Sequence, residues 1–112
     1  MAIDGTWTNI FGSILTLATN GNSLTGTFQI AGGSPSPLIG FINTDAEADP
    51  AVGWVVLGQT GTVDGVTSWA GQYYSGANPS LETIIAIWLL HSETPGQPGI
   101  TQVGQDIYGR TS

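Results

Sequence analysis

This sequence predicts an all-β fold: an eight-stranded, antiparallel, up-and-down β-barrel. Three observations carry that prediction. Short β-rich runs alternate with turn clusters along all 112 residues, at the spacing of a barrel or a sandwich. No stretch shows a helical period of useful length. No linker divides the chain, so residues 1–112 read as one domain, large enough to bury a core without staples. Sequential strands joined by short turns suit a closed barrel, because closure removes the edges that an open sheet must protect. A two-sheet sandwich is the alternative, since turn spacing alone does not separate the two.

The predicted strands are residues 5–11, 13–19, 24–31, 37–43, 52–59, 67–74, 82–91 and 100–110. Between them lie Gly, Pro, Asn and Asp clusters at 20–22, 32–35, 45–50, 61–65, 75–79 and 93–99, the residue types that tolerate turn geometry. Alternation assigns the faces. In the third strand Leu24, Gly26, Phe28 and Ile30 oppose Thr25, Thr27 and Gln29, the pattern of a half-buried strand. In the sixth, Thr67, Trp69, Gly71 and Tyr73 oppose Ser68, Ala70, Gln72 and Tyr74. The seventh is apolar on both faces, with Ile84, Ala86, Trp88 and Leu90 set against Ile85, Ile87 and Leu89. The fifth shares this trait, with Val55 and Leu57 opposite Trp54 and Val56. An antiparallel strand apolar on both faces is covered on both, and no helix is available to do it. The expected cover is a second subunit, which makes the chain a homo-oligomer, dimer or tetramer, through Val55, Leu57, Ile85, Ile87 and Leu89.

Charge excludes several partners. Eight acidic residues face a single basic one, Arg110, for a formal net charge of −7. Nucleic acid requires a basic footprint to displace counterions from phosphates, and anionic membrane surfaces require the same. Neither is an expected partner. No cysteine is present, which removes disulfides and thiolate chemistry. No apolar run has the length of a membrane span, and no basic start followed by an apolar stretch reads as a signal peptide, so the compartment stays open. Trp7, Trp54, Trp69 and Trp88 all fall within predicted strands. Several flat apolar walls, each with one donor, point to a lined cavity and a small-molecule ligand; the alternative is that they fill a core.

Other candidate chemistry is sparse. Asp45, Glu47 and Asp49 have the alternate spacing of a calcium loop, but Pro50 stands where a flexible Gly is needed and no ligand-bearing Glu follows. They read as a solvated loop. His91 is the only histidine and no motif surrounds it, so no catalytic or metal site rests on it. Asp106 stands out as one acid in an apolar strand end. It is read either as a carboxylate accepting bonds from backbone or Trp donors within the barrel, or as a buried acceptor for the N–H of a ligand. With no activated nucleophile, paired carboxylates or cofactor motif, the chain is not expected to be an enzyme or to carry a cofactor.

Several segments together resemble the avidin and streptavidin family. They are Gly5-Thr6-Trp7-Thr8-Asn9 with Gly12-Ser13, Leu24-Thr25-Gly26-Thr27, Gly53-Trp54, the run from Thr67 to Tyr73, Trp88-Leu89-Leu90 and Val103-Gly104-Gln105-Asp106. The resemblance spans nearly the whole chain and implies an eight-stranded barrel that binds biotin non-covalently, usually as a dimer or tetramer. It places Asn9 and Ser13 on the ureido oxygen of biotin, Asp106 on a ureido N–H and Thr67 near the thioether sulfur. Trp69 and Trp88 become walls, with Leu90 beside them.

Departures from the family pattern are as informative. Phe28 replaces a tyrosine that grips the ureido oxygen, and Ile30 a serine or threonine that accepts the second N–H. Gly58 replaces a wall tryptophan and Gly65 a serine that helps hold the carboxylate, and no tryptophan follows Trp88 to lid a neighbouring site. An unpaired polar ligand atom in a dry site costs ~1–3 kcal/mol, so Phe28 and Ile30 together remove ~2–6 kcal/mol of binding. Each ~1.4 kcal/mol is tenfold in affinity. The expectation is a non-catalytic protein that binds biotin weakly, or a related small cyclic ligand, within the barrel. The alternative is a lectin on the same scaffold, because aromatic faces with Asp, Asn and Gln also suit sugars and an oligomer would display them multivalently.

Overall fold

A computed structural model describes residues 2–44, 49–57, 65–78, 81–94 and 96–111. Its strands are β1 (Gly5–Thr8), β2 (Ile14–Asn20), β3 (Ser23–Gln29), β4 (Ser36–Ile42), β5 (Ala51–Leu57), β6 (Gly65–Tyr74), β7 (Thr83–Thr94) and β8 (Gln97–Arg110). Each pairs antiparallel with the next, and β8 returns to β1 to close the barrel. The fold is the all-β barrel that the alternation predicts, and the sandwich alternative falls away. Gly58, Asp45 and Glu47, like most of the turn clusters at 45–50 and 61–65, lie outside the described residues.

Local chemistry sets the strand ends. The first predicted strand runs to residue 11, but β1 stops at Thr8. The side chain of Asn9 is the reason: its Oδ1 accepts the backbone N–H groups of Phe11 and Ser13, both at 3.0 Å, and so diverts the chain from the ladder into a turn. Asn20 pairs with Ser23 across a two-residue turn in which Gly21 has φ 61°, the conformation that a hairpin turn of this hand requires at its first central position. The Gly- and Pro-containing run at 93–99 reads as a loop, yet β7 and β8 continue pairing through it to Thr94↔Gln97, beyond a bulge between Ser92 and Thr94.

Large residues fill one end of the interior. Trp7, Tyr73, Ile84, Leu17 and Tyr108 are buried there or beside it, and Trp7 and Tyr73 meet edge to face at 6.1 Å. Inward-facing glycines let neighbouring strands approach closely. A Cβ on Gly40 would lie 1.9 Å from the carbonyl oxygen of Gly53, and one on Gly71 would lie 1.9 Å from that of Ile85. Gly40 stands across from Trp54, so the interior alternates small with large. Arg110 seals this end. Its guanidinium stacks 4.3 Å over the Trp7 ring, pairs with Glu82 at 2.8 Å and donates to the carbonyls of Asp4 and Ala2. The hydrogen bond from Arg110 holds the Glu82 carboxyl below its ordinary range, while burial and then Glu82 push the Tyr73 phenol up.

The outer surface divides into two halves. On β2 and β3 it carries Thr16, Ala18, Thr25 and Thr27. From β4 round to β8 it exposes Ile39, Phe41, Val55, Leu57, Ile87, Leu89, Val103 and Ile107. The double apolar character of the fifth and seventh predicted strands is therefore real: β5 and β7 each turn one apolar face inward and the other out of the barrel.

Candidate ligand-binding site

The open end holds a cavity of about 420 Å³, within the ~300–1,000 Å³ range of small-molecule sites. Around it the structure places Asn9, Ser13, Phe28, Ile30, Thr67, Trp69, Trp88, Leu90 and Asp106, nine residues drawn from β3 and its end, β6, β7, β8 and the turn after β1. Alternation explains the convergence, since Thr67 and Trp69, Trp88 and Leu90, and Asp106 all occupy inward positions of their strands. The four tryptophans divide evenly. Trp69 and Trp88 line the cavity, whereas Trp7 and Trp54 are core.

Asp106 organises the floor and is only 7% exposed. Its Oδ2 accepts the indole N–H of Trp69 at 3.0 Å and the phenol of Tyr108 at 2.9 Å, and its Oδ1 accepts the amide of Asn9 at 3.3 Å. The internal-acceptor reading of Asp106 is thus realised, but it is not the whole account. A carboxylate offers about four lone-pair positions, so three donors leave one on Oδ1, and Asp106 borders the cavity. Burial first, and then the neighbouring Asp106 carboxylate, push the Tyr108 phenol far above its ordinary value. Tyr108 is therefore a neutral donor at neutral pH.

Asn9 is locked from the other side. Its oxygen is occupied by two backbone N–H groups, so its amide nitrogen must face Asp106, and its second N–H has no partner among the described residues. The Ser13 hydroxyl also lacks a partner among the described residues, although Ser13 is buried. The floor thus presents a carboxylate acceptor, an amide donor and a hydroxyl side by side.

Aromatic rings form the walls. Phe28 lies 4.9 Å from Trp69, and Trp54 stacks behind Trp69 at 5.6 Å with an interplanar angle of 17°. Trp69 is consequently fixed by ring packing on two sides and by its bond to Asp106. The Trp54 N–H is buried with no partner among the described residues. Trp88, only half-buried, lies over Gly104, where a Cβ would come within 2.2 Å of its ring.

Sequence reasoning missed several contributors. Phe11, Gln102, Gly104 and Gln105 also line the cavity, and Tyr108 supports its floor. Counting back and forward by two from Asp106 gives Gly104, Gln102 and Tyr108, so the signal for these was present. Gly65 is buried at the start of β6 and does not line the cavity. Asp49, from the acidic stretch, accepts the backbone N–H of Ser75 at 2.8 Å and is a loop latch. Among the described residues no cluster of His, Asp and Glu has the makings of a metal site. His91 is exposed and contacts Thr101 through Nδ1 at 2.7 Å.

The chain is a closed antiparallel barrel, sealed at one end and hollow above a polar floor at the other, with a cavity of small-molecule size. Residues 1–111 match the sequence model of the Avidin family, and the chain belongs to that family. The family is one of binding proteins rather than enzymes.

Proposed function

We propose that the protein is a non-catalytic receptor that holds biotin, or a cyclic ligand of the same hydrogen-bonding type, in the open end of the barrel. One observation carries this reading: Asp106, Asn9 and Ser13 form an acceptor, donor and hydroxyl set at the base of a cavity walled by Trp69 and Trp88. A ring with adjacent N–H and C=O groups complements that set, and the indoles cover its apolar body. Affinity is set well below what a fully polar lining would give, because Phe28 and Ile30 leave ligand polar atoms unpaired at ~1–3 kcal/mol each. Isothermal titration with biotin tests the reading, with a thermal shift measured in parallel. The absence of both heat and shift at millimolar ligand would sink it.

The protein is further proposed to act as a homo-oligomer through the apolar outer faces of β5 and β7. Val55, Ile87 and Leu89 are each 48% exposed and Leu57 is 75% exposed, with Ile85 in the same surface. Light scattering on the wild type and on Ile87→Glu/Leu89→Glu is expected to show an assembly that the variant breaks into monomers. A monomeric wild type at working concentration refutes it. The lectin reading draws its support from Trp88, half-buried on the cavity lining together with Gln102, an indole and an amide placed as a sugar ring would use them. A blank glycan array ends that alternative.

A further inference from the structure

The side of the cavity is as informative as its floor. Because β1 ends at Thr8, it pairs with β8 at Trp7↔Arg110 and Thr8↔Gly109, while β8 itself spans Gln97–Arg110. The Thr111 N–H donates to the Thr6 carbonyl at 2.8 Å, which makes these two residues a hydrogen-bonded antiparallel pair. Such pairs alternate along a ladder, so the backbone groups of every second residue back from Thr111 aim toward the β1 side. At Gln105 and Val103 no strand stands there among the described residues. Their N–H and C=O groups form an open edge. That edge borders the cavity, since Gln105 lines it although its side chain is on the outer, exposed face of β8. Of the two edge residues Gln105 lines the cavity and Val103 does not, so a head group seated on Asp106 has the backbone N–H and C=O of the adjacent Gln105 beside it for its tail.

Charge is the independent second observation. Arg110, the one basic side chain in the sequence, is committed at the sealed end to Glu82 and to N-terminal carbonyls. The cavity floor carries the Asp106 carboxylate, and the formal net charge of the chain is −7. A tail ending in a free carboxylate meets a negative protein with no counter-charge, and it offers only acceptors to an edge that presents both donors and acceptors. A secondary amide is uncharged and supplies one donor and one acceptor, the complement of one edge residue.

We propose, resting on the biotin-type reading of the head group, that this site takes its ligand as an amide conjugate, with the acyl tail joined through N–H to a further chain, in preference to the free carboxylic acid. Three probes with one head group test it: biotin, its methyl ester and its N-methylamide, titrated calorimetrically at low and at physiological salt. The amide is expected to bind tightest, about tenfold over the ester, for the one edge hydrogen bond, from its N–H to an edge carbonyl, that the ester cannot make. The acid is expected to be weakest, and the gap between acid and amide should narrow with salt as the repulsion is screened. Acid binding as tightly as amide, or ester as tightly as amide, overturns the proposal. No binding by any of the three overturns the biotin reading itself, which keeps the two failures distinct. Gln105→Pro removes an edge N–H that no ladder bond uses, and an open edge tolerates proline. It should weaken amide and ester alike by about tenfold, because both carry the carbonyl that accepts this N–H, and leave their ratio, which reads donation by the amide N–H to an edge carbonyl, unchanged. Amide and ester affinities unmoved by this change overturn the edge assignment, and if the variant fails to fold, the three-probe series on the wild type still decides.

Discussion

Replacing Asp106 with asparagine changes one atom of the floor and should separate what that residue does for the fold from what it does for a ligand. In the wild type Asp106 accepts from Trp69 and Tyr108 on Oδ2 and from Asn9 on Oδ1. The substituted side chain has one acceptor oxygen. Turned toward the two buried ring donors, it points its own N–H₂ at the amide nitrogen of Asn9, donor against donor at about 3.3 Å. Asn9 cannot rotate away without abandoning the N–H groups of Phe11 and Ser13. One charge-assisted bond is lost and one donor pair is left opposed, so Asp106→Asn should cost ~2–3 kcal/mol of stability.

The reciprocal change is the informative one. With Asn9→Asp added, the carboxylate now on the turn after β1 accepts the two backbone N–H groups on one oxygen. Its other oxygen accepts the new amide N–H from the β8 side, and every internal bond of the cluster is restored. Urea unfolding at fixed protein concentration should return the double variant to within ~1 kcal/mol of the wild type, a strong coupling for two residues in contact. Binding should not return, because the acceptor and donor offered to the cavity have exchanged places. A double variant no more stable than Asp106→Asn would refute the hydrogen-bond assignment. A double variant that is stable and binds biotin as the wild type does would refute the floor as the ligand-recognising surface.

Phe28→Tyr and Ile30→Ser add to the lining the hydroxyl groups that the resemblance implies there, and each should tighten biotin about tenfold; calorimetry showing no gain from either refutes the proposal that these two residues lower the affinity. Gly104→Ala puts a methyl group 2.2 Å from the Trp88 ring, so it should displace that wall and weaken ligand binding about tenfold or more, read by titration and by a change in tryptophan emission. An Ala variant that binds normally shows that Trp88 is not a wall the ligand touches. The Glu82 carboxyl is held below its ordinary value of 4.5 by Arg110, so its contribution is fully present above that pH and fades as pH falls through the lower folded value. The difference in melting temperature between wild type and Glu82→Gln should therefore be constant above about pH 5 and shrink as the pH falls below that. A gap that widens on acidification contradicts the ion pair.

The barrel was legible because its signal is periodic. Strands such as Leu24 to Gln29 and Thr67 to Tyr74 alternate cleanly, and a period-two pattern between turn clusters has few other solutions. The inward positions of Thr67, Trp69, Trp88, Leu90 and Asp106 follow from the same count. Side-chain competition with the backbone was not legible. Nothing in the alternation says that Asn9 captures two N–H groups and ends β1 three residues early, yet that event opens the seam beside β8. Tyr108 was overlooked for a related reason. On its own it is a core aromatic, and it becomes part of the floor only through a hydrogen bond to a residue two positions away.

The two ends of the barrel divide the work. Trp7, Tyr73, Glu82 and Arg110 tie β1, β6 and β8 and the chain start together at the sealed end, with no contribution from the cavity lining. Closure therefore does not depend on what Phe28, Ile30 or Trp88 are. The open end touches this framework through Asp106, whose buried donors Trp69 and Tyr108 reach back to the core by way of Trp54, stacked on one and edge-on to the other. Changes at the part-buried Ile30 and Trp88 should alter affinity with little change in stability, whereas changes to Asp106, or to the buried walls Phe28 and Trp69, should alter both. That asymmetry means the floor and the buried walls are constrained by folding and the part-buried walls far less, so a change of ligand on this scaffold is reached through Ile30 and Trp88.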